Sequence, residues 1–163
     1  MTQPDPSIVA ALAASKLAAE LSPGQIEVLS GQVAMRELRA GEVLVREGVA
    51  DNHLYAVVSG KLGVIKHAGT PDEERLATMQ AGDFAGELAF LDGTERFASL
   101  VALEDMQVLG LEREKFESLV DTHPQIVYRV MRAIVRTVHL LQRRLSMESH
   151  ELRNYVYKQH GRY

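Results

Sequence analysis

The 163-residue sequence lacks cysteine and tryptophan, and it also lacks any long apolar run. The absence of cysteine excludes disulfides and thiolate metal sites. No stretch of roughly 18 or more apolar residues occurs, so we expect no membrane-spanning helix. The first residues, MTQPDP, lack the basic start of a signal peptide, and Lys16 interrupts the apolar stretch that follows. We therefore expect a cytoplasmic protein without a leader or a membrane anchor.

Clustered metal-binding or nucleophilic residues are also absent from the sequence. The six histidines stand at positions 53, 67, 123, 139, 150 and 160, and no two of them form an H-x-H pair. Metal-dependent enzymes of the cupin class typically need such a pair together with a glutamate and a further histidine. No nucleophile motif is present either. We therefore expect neither an enzyme nor a bound metal.

Charge is distributed unevenly along the chain. Residues 1–128 carry 10 basic and 20 acidic side chains, a net of −10, whereas residues 129–163 carry 8 basic and 2 acidic side chains, a net of +6. The C-terminal segment ends in alternating tyrosines and basic residues, which can contact nucleic acid or an acidic partner. Because Glu148 and Glu151 interrupt the basic stripe, we favour a solvated helix face over a nucleic-acid surface.

Helix signals open the chain. Ser7 to Leu21 is rich in alanine and leucine, with apolar residues at helical spacing, and predicts a first helix after Pro4 and Pro6. Ser22-Pro23 predicts the cap and the first position of a second helix, which extends to about Gln32.

Short segments separated by glycine turns follow from Met35. We predict strands within residues 41–46, 54–58, 62–66, 75–79, 99–102 and 107–111. Turn signals at intervals of roughly 8–12 residues favour an all-β sandwich or barrel. An amphipathic helix over residues 112–120 then points Phe116, Leu119 and Val120 inward, and Pro124 opens a last helix.

The stretch Gly82 to Ala102, GDFAGELAFLDGTERFASLVA, carries the most specific chemistry of the chain. If a short helix begins near Glu87, its first N–H groups point outward unpaired and form an anion site, and Gly86 lets a charged oxygen approach the main chain. Glu87 accepts hydrogen bonds from hydroxyl groups, whereas the Arg96 guanidinium matches phosphate geometry. Taken singly, these residues are more typical of a surface ion pair and a turn. Taken together, they suit a small molecule with both a sugar hydroxyl and a phosphate.

The whole string resembles the phosphate-binding cassette of cyclic nucleotide-binding domains, of the bacterial catabolite activator and protein kinase regulatory-subunit type. The residues that fit the family pattern are Phe84, Gly86, Glu87, Leu88, Ala89, Leu91, Arg96, Ala98, Ser99 and Ala102. The resemblance extends over about residues 22–145. It implies a mainly β fold with flanking helices, in which a double-stranded β-helix (jelly-roll) barrel precedes a long C-terminal dimerisation helix. We expect one cyclic nucleotide-binding domain over residues 1–163, with helices in 1–33, the barrel in 34–111, the cassette in 82–102, and C-terminal helices and tail in 112–163.

The resemblance also implies a role for each cassette residue. Glu87 would bind the ribose 2′-hydroxyl, and Arg96 would bind the cyclic phosphate. Further phosphate contacts would come from the backbone at Gly86, Leu88, Phe97 and Ala98. Phe97 departs from the family, which commonly has serine, threonine or alanine at this position. The change removes a hydroxyl donor and introduces a ring that can crowd the pocket or reach toward the base.

The base-binding residues are less well defined. By family register, Val64 and Leu76 would line the base pocket, although a place in the barrel core explains them equally well. The base-contacting hydroxyl residues of the catabolite activator fall near Leu141 and Gln142. Leucine cannot donate a hydrogen bond, and Gln142 is more simply explained as an exposed helix residue. We therefore expect a cyclic nucleotide, cAMP slightly ahead of cGMP, but these residues imply no adenine selectivity.

The last helix carries an apolar stripe of heptad type. Its members are Ile134, Val138, Leu141, Leu145, Leu152 and Tyr155, with Glu148 at the one polar position. About 30 residues of helix span about 45 Å, which exceeds the size of a small barrel. In the family this helix forms the dimer interface and covers the base, so we expect a parallel homodimer.

These observations predict a stand-alone cyclic nucleotide sensor that signals through its C-terminal helix to a separate effector protein. No cofactor is expected besides the nucleotide ligand. The sequence ends where transcription factors of the family continue into a helix-turn-helix domain, so we do not expect sequence-specific DNA binding. The alternative, suggested by Phe97 and Leu141, is a dimeric interaction module with a degenerate cassette that binds no nucleotide. Retention of Glu87 and Arg96 argues against it, because neither is needed to pack a barrel.

Overall fold

The computed structural model describes residues 3–160, except for the side chains of residues 141, 142, 145 and 154–160. Its helical elements are α1 (Pro6–Ala13), a 3₁₀ turn (Lys16–Ala18), α2 (Pro23–Ser30), α3 (Glu87–Asp92), α4 (Arg113–Glu117), α5 (Leu119–Thr122) and α6 (Pro124–His160). Its strands are β1 (Val33–Leu38), β2 (Val43–Val45), β3 (His53–Ser59), β4 (Leu62–Lys66), β5 (Glu74–Met79), β6 (Phe84–Ala85), β7 (Ser99–Ala102) and β8 (Met106–Glu112).

The strands form two antiparallel sheets of four strands each, in the orders β1-β8-β3-β6 and β2-β7-β4-β5. The prediction of a jelly-roll barrel followed by a long helix is therefore confirmed. In the first sheet β3 lies between β8 and β6, and Tyr55 pairs with Ala85. The strand that carries Tyr55 consequently runs beside the entrance to the cassette.

Two apolar cores hold the fold together. Alternate residues of both sheets fill the barrel interior, as expected for strands with one buried face, and they include Val57, Leu62, Leu100 and Val108. The second core lies between the other face of the first sheet and the helices. Its members include Leu12, Leu29, Leu54, Phe90, Leu109, Phe116, Ile126, Val130 and Ile134. Because Phe90 belongs to α3 and Ile126 to α6, the cassette helix and the last helix share one core.

The N-terminal helix is shorter than the sequence predicts. It ends at Ala13 instead of Leu21, and the 3₁₀ turn follows. Ser15 explains the break, because its side chain accepts a hydrogen bond from the Leu17 N–H and so caps a new turn. The prediction for the second helix is confirmed, since Ser22 caps α2 in a capping box with Gln25 and a proline occupies the first helical position.

The segment after β8 also departs from the predicted single helix over 112–120. It forms two short helices, α4 and α5, with Ser118 between them. Phe116 and Leu119 are buried as predicted, but Val120 is 47% exposed, so its predicted inward orientation is wrong. The break at Ser118 interrupts the helical period, which turns Val120 toward solvent.

Helix α6 divides into a packed first part and a projecting second part. Ile126, Val130 and Ile134 are at most 2% exposed, whereas Leu140 and Leu152 are more than 60% exposed. Pro124 opens the helix as predicted, and the helix continues to His160. Of the predicted heptad stripe, the side chains of Leu141, Leu145 and Tyr155 lie outside the described part of the structure. Among the residues that are described, no helix is both long and apolar enough to span a bilayer.

Candidate functional site

Gly86 and the short helix α3 give the cassette its local shape. Gly86 caps α3 with φ +89°, a left-handed conformation that favours glycine, and Gly93 ends the helix with φ +69°. The predicted helix start near Glu87 is therefore confirmed. The first N–H groups of such a helix have no partner within the helix itself.

The cassette forms one wall of a cavity of about 220 Å³. The predicted site residues that line this cavity are Val64, Gly86, Glu87, Leu88, Arg96, Phe97 and Ala98. The sequence reasoning missed Met79, Ala85, Ala89, Thr94, Glu95 and Leu100, which also line it. Leu76 does not line the cavity and is 44% exposed in β5, and the side chains of Leu141 and Gln142 lie outside the described residues.

Arg96 is a buried cation at the back of this cavity. Only 4% of its side chain is exposed, its Nη2 donates to the His53 carbonyl, and Nη2 lies 3.5 Å from Asp51 Oδ2. Its Nε is buried and has no hydrogen-bond partner in the described part of the chain. The guanidinium packs so closely on Gly86 that a Cβ at that position would overlap Nη1. A buried guanidinium with an unsatisfied N–H and one carboxylate at 3.5 Å retains capacity to bind an anion.

Asp51 connects Arg96 to two side chains of β3. It accepts hydrogen bonds from the Tyr55 hydroxyl at 3.0 Å and from the His53 N–H at 3.0 Å, and the His53 Nδ1 lies 3.0 Å from it. Burial, and then the charge of Asp51, raises the pKa of the Tyr55 hydroxyl well above its usual value. Tyr55 therefore stays neutral and donates to Asp51. This network holds the carboxylate in place and so fixes the position of the guanidinium.

The sequence reasoning did not find Asp51, His53 or Tyr55. A signal was available for two of them, because His53 and Tyr55 stand two positions apart in β3 and so share one face of the strand, whereas Asp51 precedes β3. What could not be read from the sequence is that Arg96, 43 residues away from His53, would reach this face.

Glu87 lies in the first turn of α3, half-buried and facing the same cavity. Its carboxylate forms no hydrogen bond or ion pair with any residue that the structure describes. Nearby, neither the Phe97 N–H nor the Ala98 N–H donates to a described residue, whereas the Arg96 N–H is bonded to the Val49 carbonyl at 2.9 Å. The residues that line the cavity thus offer a free carboxylate, free amides and a guanidinium.

The profile of the family described as "Cyclic nucleotide-binding domain" matches residues 35–123, which include the whole cavity wall from Val64 to Leu100. The match spans more than half of the chain. The chain belongs to the cyclic nucleotide-binding domain family. The sequence-based identification of this family is confirmed.

Two curated regulatory proteins and one solved domain show what this cyclic nucleotide-binding domain is similar to. The cyclic AMP receptor protein of Thermus thermophilus is 29% identical over 131 residues, which cover 80% of this chain and 61% of the relative. The cAMP-dependent protein kinase regulatory subunit of Blastocladiella emersonii is 28% identical over 120 residues, covering 74% and 30%. A cyclic nucleotide-binding domain from Methylobacillus flagellatus superposes with a TM-score of 0.74 at 23% identity, covering 84% of this chain and 77% of that one. The chain therefore spans less than two thirds of these two curated relatives.

A larger cavity, of about 730 Å³, lies elsewhere on this cyclic nucleotide-binding domain. Its lining includes Glu37, Glu42 and Asp105 against a single Arg39. The excess of carboxylates disfavours a phosphate there, whereas the smaller cavity places a buried guanidinium beside free amides. The described residues contain no group of three or more histidines and carboxylates suited to a metal ion.

Proposed function

We propose that this chain is a sensor that binds a cyclic nucleotide in the cavity between the cassette and β4, with cAMP only slightly favoured over cGMP. The observation that carries the proposal is the buried Arg96 guanidinium, whose Nε lacks a partner, on the wall of a cavity that also presents the free Glu87 carboxylate. Burial of an incompletely paired cation is costly, and an anionic ligand removes that cost.

Each polar group of the cavity has a role in this proposal. Arg96 binds the cyclic phosphate, together with the free N–H groups of Phe97 and Ala98 and the first N–H groups of α3. Glu87 accepts a hydrogen bond from the ribose 2′-hydroxyl, because an ionised carboxylate has only acceptors to offer. Val64 provides an apolar wall for the base, and Gly86 leaves room for the guanidinium.

The second apolar core provides a route from the cavity to α6. Phe90 of α3 packs on Phe116 of α4 with ring centroids 5.5 Å apart, and both residues share their core with Ile126 and Val130 of α6. A shift of α3 on ligand binding therefore changes the surface on which α6 rests. The nucleotide shifts the equilibrium between the two positions of α3 and α6 only by the difference between its affinities for them.

We further propose that residues 1–163 act as one cytoplasmic cyclic nucleotide-binding domain, which forms a homodimer through α6 and signals to a separate effector protein. The exposed side chains of Leu140, Met147 and Leu152 support the dimer, since apolar residues on a projecting helix are typical of a helix-helix interface. In this proposal the chain has no catalytic activity of its own and does not bind DNA.

Calorimetric titration of the Arg96→Ala variant with cAMP and cGMP tests the site. The wild type, freed of ligand by unfolding and refolding, should bind at least one nucleotide, and the variant should lose at least ~100-fold in affinity because a charge-assisted bidentate contact is removed. Arg39→Ala is the matched control, since Arg39 is an exposed arginine of the other cavity. Unchanged affinity in Arg96→Ala would disprove the assignment.

Removal of Arg96 leaves Asp51 without its guanidinium partner, so the fold of that variant must be checked by circular dichroism and thermal melting. Glu87→Gln gives an independent test, because it keeps the shape of the side chain and weakens only the contact with the ribose. It should reduce affinity about 10-fold for a ribose nucleotide and much less for its 2′-deoxy analogue.

The alternative function is a dimeric interaction module that binds no nucleotide. Phe97 favours it, because a phenylalanine replaces the small or hydroxyl residue common at this position. Under this alternative a folded wild type would give no heat with either nucleotide.

A further inference from the structure

Phe97 is the most exposed large apolar side chain among the described residues, at 71%, and it lines the cavity. It follows Arg96 directly in the chain. Contact of an uncovered aromatic ring with water is unfavourable, and such a surface at the mouth of a binding cavity is typical of a contact site.

Lys66 of β4 holds this ring in place. Its Nζ lies 4.1 Å from the centroid of the Phe97 ring and donates a hydrogen bond of 2.8 Å to the Phe97 carbonyl. The ammonium group also pairs with Glu47, which keeps it from turning into solvent. A cation therefore covers one face of the ring, at the distance of a cation–π contact, and the high exposure of Phe97 shows that much of the rest is uncovered.

The position of Lys66 places the ring on the base side of the cavity. Lys66 and Val64 stand two residues apart on β4 and share one face of the strand. Val64 lines the cavity, so the ring beside Lys66 continues the same wall. In the proposed function, a nucleotide with its phosphate on Arg96 and its ribose on Glu87 would extend its base along this wall.

We infer that Phe97 is the surface on which the base of the nucleotide stacks, with Lys66 as its support, and that the site thereby selects purine over pyrimidine cyclic nucleotides. This inference rests on the proposed function. Aromatic side chains stack on any base, but a two-ring purine overlaps a phenyl ring more fully than a one-ring pyrimidine. Phe97 and Lys66 are specificity-determining residues in this proposal, whereas the phosphate contacts belong to Arg96 and the amides.

Three ligands separate the contributions of base and phosphate: cAMP, the pyrimidine analogue cCMP, and methyl riboside 3′,5′-cyclic phosphate, which has no base. The wild type should bind cAMP about 10-fold more tightly than cCMP, as expected for a stacking contact. Phe97→Ala should lose about 10-fold in affinity for cAMP, and its preference for cAMP over cCMP should nearly disappear. The base-free ligand should bind wild type and Phe97→Ala equally, because it makes only the sugar and phosphate contacts.

Two further variants test the arrangement around the ring. Phe97→Trp should keep the purine preference, since it retains an aromatic surface. Lys66→Met removes the cation and its hydrogen bond to the Phe97 carbonyl but leaves the ring, so it should lower the affinity for cAMP about 3-fold and the affinity for the base-free ligand by less. Phe97 is mostly exposed, so its substitution should leave the melting temperature nearly unchanged.

The outcomes distinguish the two proposals. If the folded wild type binds none of the three ligands, both the proposed function and the stacking role are wrong. If Phe97→Ala binds cAMP with wild-type affinity and wild-type preference over cCMP, the stacking role alone is wrong and the sensor stands. A gain of affinity for all three ligands in Phe97→Ala would show that the ring blocks the cavity, which also overturns the stacking role.

Discussion

Gly86 is the residue on which the geometry of the site depends most directly. Its φ of +89° lies in the left-handed region, and its missing Cβ leaves the space that the Arg96 guanidinium occupies. Position 86 must therefore both adopt a positive φ and leave space for the guanidinium. A side chain there would strain the backbone and displace the cation from the cavity wall.

Gly86→Ala should consequently lower both stability and nucleotide affinity. We expect a loss of ~1–3 kcal/mol in the free energy of unfolding, as for other strained backbone positions, measured by chemical denaturation. Gly24→Ala is the matched control, because Gly24 lies in α2 with nothing within 4 Å of a new Cβ and without a positive φ. That control should gain about 0.5–1 kcal/mol. Equal stability of the two variants would contradict the role given to Gly86.

The residues of the site were predictable to the extent that they are contiguous in the chain. Gly86, Glu87 and Arg96 stand in one recognisable string, and the structure brings all three to one cavity. Asp51 and Tyr55 were missed because strand pairing, and not sequence proximity, carries them to Arg96. Leu76 was predicted to line the cavity but does not, since a register shift after Val64 in the β4–β5 pair changes the alternation at the neighbouring positions of β5.

At the scale of elements, Glu20 and Gln25 bind arginines of α6 and so join this helix to the N-terminal segment. Glu20 Oε1 lies 2.9 Å from Arg136 Nη1 and 3.3 Å from Arg132 Nε, and Arg129 Nη1 donates to Gln25 Oε1 at 2.8 Å. The three arginines recur at spacings of three and four residues, so they occupy one face of α6. The packed part of α6 and the segment before β1 are therefore tied together and should move as one unit.

Glu20→Ala should remove both ion pairs between the N-terminal segment and α6. It leaves Arg132 and Arg136 on one helix face without their shared carboxylate, and we expect a loss of ~1–2 kcal/mol in the free energy of unfolding, since the pairs are partly exposed. Amide hydrogen exchange in the first turns of α6 should accelerate as well. Glu117→Ala serves as the control, because the Glu117 carboxylate is 3.9 Å from Arg113 and 63% exposed. An effect of the same size in both variants would show that Glu20 is an ordinary surface partner.

A second link joins the 3₁₀ turn to the cassette. Lys16 forms an ion pair with Asp83, and the Lys16 N–H donates to the Gly82 carbonyl at 2.9 Å. Burial raises the pKa of the Asp83 carboxyl, but hydrogen bonds from Lys16 and the Gln80 N–H outweigh it, so the pKa lies below its usual value. Because the pKa of Asp83 is lower in the folded than in the unfolded protein, its carboxylate stabilises the fold at pH values above the unfolded pKa of about 4. This stabilisation is lost as the pH falls through the folded-state pKa.

Lys16→Met should therefore destabilise the protein in a pH-dependent way. The expected loss is about 0.5–1 kcal/mol at pH 7, because Lys16 is more than half exposed, and it should shrink toward zero once Asp83 is protonated at acidic pH. Lys61→Met is the control, since Lys61 is exposed and forms no ion pair with a described residue. A difference from wild type that stays constant from pH 7 down to acid denaturation would rule out the ion pair as the cause.

The sequence predicted helices and strands best where a proline or a glycine turn marks the boundary of the element. Pro124 marks the start of α6, and glycine turns separate the six predicted strands, so these elements stand close to their predicted places, whereas β1 and β6 were not predicted. The helix ends within alanine-rich and amphipathic segments were harder to predict, because helix propensity does not reveal where a single side chain caps a turn. Ser15 and the junction at Ser118 each break a helix whose apolar spacing continues through the break.

At the scale of the whole molecule, the proposed homodimer depends on the part of α6 beyond the packed core. Ile134 is the last residue of α6 with a fully buried side chain among those described. Truncation after Thr137 should therefore keep the fold and remove the interface. Light scattering should give twice the chain mass for the full sequence and a single chain mass for the truncated form. A truncated protein that stays dimeric would place the interface elsewhere.

The charge of the same region predicts how salt acts on this dimer. Residues 129–163 carry a net of +6, and a parallel arrangement would bring two such segments side by side. Their repulsion is screened by ions, since the Debye length is about 10 Å at 0.1 M salt. The dimer should therefore tighten as salt rises from about 50 mM to about 500 mM, measured by sedimentation equilibrium. A dimer that weakens with salt would indicate an antiparallel or charge-complementary interface.

The length of α6 beyond Ile134 has a mechanical consequence. The helix continues for 26 residues to His160, which is about 39 Å at about 1.5 Å per residue. If this part moves as a straight rod, a tilt of about 10° at its base displaces the far end by about 7 Å. In the proposed sensor, such a tilt of α6 would move its far end by more than one helical turn. Occupancy of the small cavity would set the tilt angle of α6, and the length of its projecting part would set how far the end of the helix moves.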